Sequence, residues 1–141
     1  MRPPEEVRRE LVRQWPRKAE ENFAVAEHLL AEGCGFLAPA GFHWQQAAEK
    51  FLKSLLVRHQ VDFPKTHDLE ELLDLVVTVD PGTASALREA SRLTTYGVEI
   101  RYPGDLPEIG LIAAREASRL ATQVREVVLR IMGPYLDGKE A

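Results

Sequence analysis

Cysteine occurs once in this chain of 141 residues, as Cys34, which excludes an internal disulfide and frees the fold from any dependence on an oxidising compartment. Long apolar runs are missing as well. None approaches the roughly 20 residues that a membrane span requires, and the opening "MRPPEEVRRELVRQW" is charged throughout, unlike a signal peptide. A soluble protein of the cytoplasm, with no membrane partner, is the expectation. Positive charge is also scarce: 18 Lys and Arg stand against 22 Asp and Glu, a net charge of −4, and no basic run exceeds the pair Arg8–Arg9. That balance argues against duplex DNA as a partner, because such modules neutralise many phosphates at once. A basic pocket would have to be assembled from separated residues.

Several chemistries lack their carriers. The chain has no Gly-rich phosphate loop and no Gly-x-Ser-x-Gly elbow. His43, His59 and His67 fall at no metal-ligand spacing, and His28 stands alone, so neither a metal nor another cofactor is expected. No segment alternates at period two, and no internal repeat or low-complexity stretch occurs.

What remains is a strong helical pattern in a chain that is 45% hydrophobic, enough for one self-sufficient domain burying roughly 68–70% of its unfolded surface. The spacing predicts a short amphipathic helix over about residues 4–14, and a second over about 15–32 with Pro16 in its first turn and Ala19, Phe23, Ala26, Leu29 and Leu30 on one face. A broad stripe from Phe42 to Leu56 marks a central helix over about residues 40–59. Asp68 followed by Glu71 has capping-box spacing before "LEELLDLVV", with Thr66 as a rival cap. Asp80–Pro81 opens a further helix that Gly97 is expected to stop. The last helix is expected over about residues 106–132, with Ile109, Ile112, Ala117, Leu120, Val124 and Val128 inward and "GP" as its end. Short connections favour an all-α, antiparallel up-down bundle of four to five helices. The expected division is an extension with a short helix over 1–14, a bundle over 15–132 and a tail over 133–141. The apolar breadth of the central and last helices exceeds what a thin bundle buries, which predicts a homodimer.

Polar residues on the central helix, Gln45, Gln46, Glu49, Lys50 and Lys53, stand three and four apart. That spacing reads as a solvated face carrying a Glu49–Lys53 pair. His67, just ahead of a helix start, reads as a cap or an ordering element of the "PKTH" turn. The segment "TTYGVEIRYPGDLPE" gathers Tyr96, Arg101 and Tyr102 between two apolar-periodic runs. It reads either as a loop that meets a ligand or as an arginine clasp at a helix end.

The order "FHWQQAAEKFLKSLLVRHQVDFPKTHDLEELL" followed by "YGVEIRYPGD" resembles the HEPN family over about residues 15–132. The resemblance implies a small bundle, commonly dimeric, whose cleft is associated with nucleotides or RNA and which often accompanies a minimal nucleotidyltransferase in a toxin–antitoxin-like pair. It implies a ligand-binding set of Lys53, Lys65, His67, Arg101 and Tyr102. In the family's catalytic branch an Arg is followed four to six residues later by a His, and the two cleave RNA without metal. Here "YPGDLPEIG" follows Arg101, and no histidine occurs beyond His67. The expectation is therefore a protein that acts by binding and is not an enzyme. The alternative is a metal-independent ribonuclease using Arg101 and His67 as its catalytic pair.

Overall fold

A stripe of small and apolar residues on the first helix, Val12, Pro16, Ala19 and Ala26, is buried, with Phe23 partly buried between the last two, and this stripe dictates how the bundle begins. The computed structural model of the chain describes residues 3–97 and 109–139. Arg101 and Tyr102 lie outside the described residues. Helix α1 runs from Pro4 to Glu32 as one element, where the sequence predicted two. Pro16 removes a helical N–H and ordinarily costs about 3 kcal/mol. The correction has a tertiary cause. Residues on both sides of Pro16 pack on the same core, and arginines from the leading turns reach the ends of other helices, so continuing the helix gains more than the proline loses.

Helix α2 (Leu37–Arg58) returns alongside α1. Pairs across the interface fix their sense: Trp44 Nε1 donates to Glu27 at 3.0 Å, Lys50 Nζ to Asn22 at 2.6 Å, and Arg8 to the Arg58 carbonyl. The rising number on one helix meets the falling number on the other, so the two are antiparallel. Helix α5 (Leu111–Leu136) is likewise antiparallel to α1, through Ser118 to Glu27 at 2.9 Å, Arg125 to Glu20 at 2.5 Å and Arg9 to the Tyr135 carbonyl at 2.9 Å. Glu27 therefore binds one side chain from each of the other two long helices.

Between α2 and α5 the chain makes a short excursion. Helix α3 (Leu69–Val77) is capped by Asp68, whose carboxylate accepts from the Glu70 N–H. The capping box is relayed: the Asp68 N–H donates to Thr66 Oγ1, which in turn donates to Glu71. Both rivals foreseen in the sequence take part. Helix α4 (Pro81–Ala86) starts under Asp80, which accepts from both the N–H and the hydroxyl of Thr83. Those bonds hold the Asp80 carboxyl below its usual range. The expected single helix then gives way at Leu87 to a 3₁₀ segment, Arg88–Tyr96. Leu87, Ala90 and Leu93 are all buried, and this three-residue spacing stacks them on one face only at the 3₁₀ period.

Two further corrections concern α5. It begins at Leu111 behind Gly110, leaving Ile109 off the helix and packed on the core, while Ile112 is 87% exposed and faces outward. The buried stripe instead follows Ala114, Ala117, Leu120, Val124, Val128, Met132 and Tyr135. Nor does "GP" end the helix, which passes through Pro134 to Leu136. Tyr135 is fully buried, with the Arg58 and Arg9 guanidinium carbons 4.7 and 5.6 Å from its ring centroid. Arg9 and Arg13 donate to the carbonyls of Tyr135 and Leu136. Cations at a helix C-terminus satisfy its orphan carbonyls and complement its dipole. Among the described residues no strand occurs and no helix is long and apolar enough to cross a membrane.

Candidate functional site

Every long helix needs an apolar face, but α2 contacts α1, α3, the 3₁₀ segment and α5, so it has little face left for water. Several of its polar residues are accordingly inside. Gln45 is 0% exposed, Glu49 3% and Lys53 9%, which overturns the solvated face read from their spacing. A carboxylate can be held there only with hydrogen-bond and charge partners. Glu49 has them. Its Oε2 accepts from Lys53 Nζ at 3.0 Å, and its Oε1 accepts from Gln45 Nε2 at 3.2 Å and faces His67 Nδ1 at 2.8 Å. A carboxylate only accepts, so the Nδ1 of His67 carries the proton in this pair.

The histidine is held from its backbone as well. Gln45 Nε2 also donates to the His67 carbonyl at 2.9 Å, while Gln45 Oε1 accepts from Gln46 at 2.7 Å, so acceptor and donor partners together fix the amide's orientation. Two residues on, the Leu69 N–H donates to Thr94 Oγ1 at 3.0 Å, tying the start of α3 to the 3₁₀ segment. His67 is thus an ordering element of its turn, as the sequence implied, but through Glu49 and not as a helix cap. Its side chain stays 42% exposed, against 4% for Glu49. The arrangement is a part-exposed imidazole whose Nδ1 is oriented by a buried carboxylate. Chemically, such a group donates or accepts a hydrogen bond in a fixed direction, or moves a proton.

The other predicted residues fall differently. Lys53 does not reach into solvent: its Nζ is engaged by Glu49 and lies 5.3 Å from the centroid of the Phe63 ring. Lys65 is exposed. Arg101 and Tyr102 lie outside the described residues, which end before them at Gly97. A Cβ on Gly97 would lie 2.4 Å from Gln45 Cδ, so glycine is required there by the buried amide, and its backbone φ of −94° is ordinary. Tyr96 stacks next to it on Gly41, whose missing side chain leaves room for the ring.

A second polar group escaped the sequence reading. Lys50 Nζ donates to Asn22 Oδ1 at 2.6 Å, and Asn22 Nδ2 lies 2.9 Å from His43 Nδ1. Because an ammonium only donates, the Asn22 oxygen must face Lys50 and its amide nitrogen must donate to His43. Burial first, and the Lys50 charge second, lower the His43 pKa from 6.5. No single-sequence signal pairs Asn22 with His43, since they lie on different helices.

The HEPN domain model matches residues 12–132. The chain is similar to a Thermus thermophilus protein, TT1696, known from its crystal structure, with 29% identity and a TM-score of 0.65 over 92% of this chain and 98% of that one. No curated protein matches the chain.

Two outcomes follow. Glu49→Ala leaves the Lys53 ammonium buried and unpaired and should cost about 3–5 kcal/mol of stability, whereas the double replacement Glu49→Leu/Lys53→Met should recover most of it; urea denaturation of the three proteins measures both. His43 binds a proton more weakly folded than unfolded, so its contribution is intact above about pH 6.5 and is lost as the pH falls toward its lower folded pKa. The denaturation midpoint should therefore drop as the pH falls below about 6.5, with a shallower slope in His43→Gln.

Proposed function

The chain belongs to the HEPN domain family, and from that premise we propose that it is a nucleotide- or RNA-associated protein that acts by binding, as the helical partner of a minimal nucleotidyltransferase in a prokaryotic toxin–antitoxin-like pair. We propose further that it works in the cytoplasm as a homodimer. The observation that carries the reading is the His67 imidazole, held 2.8 Å from the buried Glu49 and 42% exposed on its side chain. An imidazole fixed in this way offers a directed hydrogen bond to a phosphate or base edge. Lys65, exposed in the same turn, adds a cation, and Arg101 and Tyr102 supply a bidentate phosphate donor and a stacking ring in the segment that follows Gly97. Lys53 then has a different part from the one its charge implied: it holds Glu49, and Glu49 holds His67.

The same observation favours a second reading, metal-independent RNA cleavage. A carboxylate-oriented histidine is a proton-transfer group, and His67 would replace the histidine that is missing after Arg101, with the guanidinium steadying phosphoryl charge.

Fluorescence anisotropy of a short labelled RNA tests the binding reading. His67→Ala, Lys65→Ala and Arg101→Ala should each weaken binding, by about tenfold or more where a charged hydrogen bond is lost, and added salt should weaken the wild type. Equal affinity in all three variants contradicts it. The same RNA incubated in EDTA separates the two readings: cleavage that requires both His67 and Arg101 makes the protein an enzyme.

A further inference from the structure

One position beyond Glu49 on α2, Lys50 turns toward α1 and meets a cavity of about 490 Å³ lined by Gln14, Trp15, Arg17, Lys18, Glu21 and Lys50. That size is within the range of small-molecule sites, roughly 300–1,000 Å³. Its polarity runs against that of the whole chain: three cations and one carboxylate line it in a protein of net charge −4. Two of its features are built and not merely exposed. Lys50 is anchored, because Asn22 takes one of its N–H groups at 2.6 Å and is itself held in register by His43 at 2.9 Å. Trp15 is half-buried and braced edge-on against Phe63, with centroids 6.0 Å apart at 85°.

We propose that this cavity is a binding site for a small planar aromatic anion, a ring that lies against Trp15 and carries a phosphate or carboxylate group seated by Lys50 and Lys18. Lys50 spends one donor on Asn22 and keeps two for the anion. Burial is the main cause of its lowered pKa, with Glu49 and Glu21 opposing the shift and Lys18 and Lys53 adding to it, so a ligand that supplies negative charge offsets the desolvation of this cation. Arg17 adds charge at the rim. Glu21 opposes the ligand: its carboxylate lies 3.7 Å from Lys18 Nζ and must release that lysine when an anion enters. This gives the proposal a sign that mere surface charge does not have, since removing a carboxylate should tighten binding through Lys18. The site shares no lining residue with the His67 cluster, although Phe63 touches both Trp15 and Lys53, and the proposal does not rest on that cluster.

Intrinsic fluorescence reads the site directly. The chain has two tryptophans, and Trp44 is fully buried with its N–H on Glu27, so a change in emission reports Trp15 and should vanish in Trp15→Phe. Adenosine monophosphate and nicotinate are the probes, with adenosine and inorganic phosphate as half-ligands. The expected result is saturable quenching by at least one probe and much weaker effects of the half-ligands. Stronger quenching by the monophosphate assigns the anion as phosphate, and stronger quenching by nicotinate assigns it as carboxylate. Lys50→Gln and Lys18→Ala should each weaken the effective probe by about tenfold or more, Glu21→Gln should strengthen it, and His67→Ala should leave it unchanged. Unchanged emission with both probes overturns the proposal. So does quenching that is indifferent to Lys50, Lys18 and Glu21, or that disappears with His67.

Discussion

A carboxylate taken out of water has to be given partners, and the positions of Gln45, Lys53 and His67 follow from how Glu49 is satisfied. Lys53 supplies the opposing charge one turn further along α2, and Gln45 one turn earlier supplies an amide N–H. His67 supplies the third contact from the turn before α3. The cost of this arrangement is desolvation, which Coulomb attraction in the interior offsets only when the remaining lone pairs are also used. They are used here by groups from two parts of the chain. The pair therefore ties the α2–α3 connection to the central helix and fixes the Nδ1 of one part-exposed histidine.

The same logic of satisfied polar groups explains the outer framework. Glu27 on α1 takes Trp44 from α2 and Ser118 from α5 on one oxygen, which sets the three long helices in register at one end. At the other end Arg8, Arg9 and Arg13 of α1 donate to carbonyls near the C-termini of α2 and α5. The leading turns of α1 are therefore not an appendage. They close two helix ends and cover Tyr135, whose ring is approached by the guanidinium groups of Arg9 and Arg58.

Much of the fold was legible because it rests on local rules. The stripe of α2, the Asp68 cap, the Asp80–Pro81 start and the family resemblance all lead to the bundle that is observed. The failures share a cause: local punctuation was given a force that tertiary contacts exceed. Pro16 and Pro134 do not end their helices, because buried neighbours and arginine donors hold both sides. Ile112 reads as a core residue by spacing, but it sits in the first turn of α5, ahead of the buried stripe. The site was legible in its members more than in its arrangement. His67 and Lys53 were identified, yet Glu49 and Gln45 read as a wet face, although a helix central enough to carry apolar residues on a broad arc has few solvated positions to offer. The Asn22–His43 contact depends on how two helices meet, which spacing along one helix does not encode.

The claim that Glu49 positions His67 is tested most directly by nitrogen-resolved NMR of the His67 ring at neutral pH. The account predicts a protonated Nδ1 whose proton is protected from exchange by its bond to Glu49, and loss of that protection in Glu49→Ala. A neutral ring protonated on Nε2, or a spectrum that Glu49→Ala leaves unchanged in a folded protein, would contradict it.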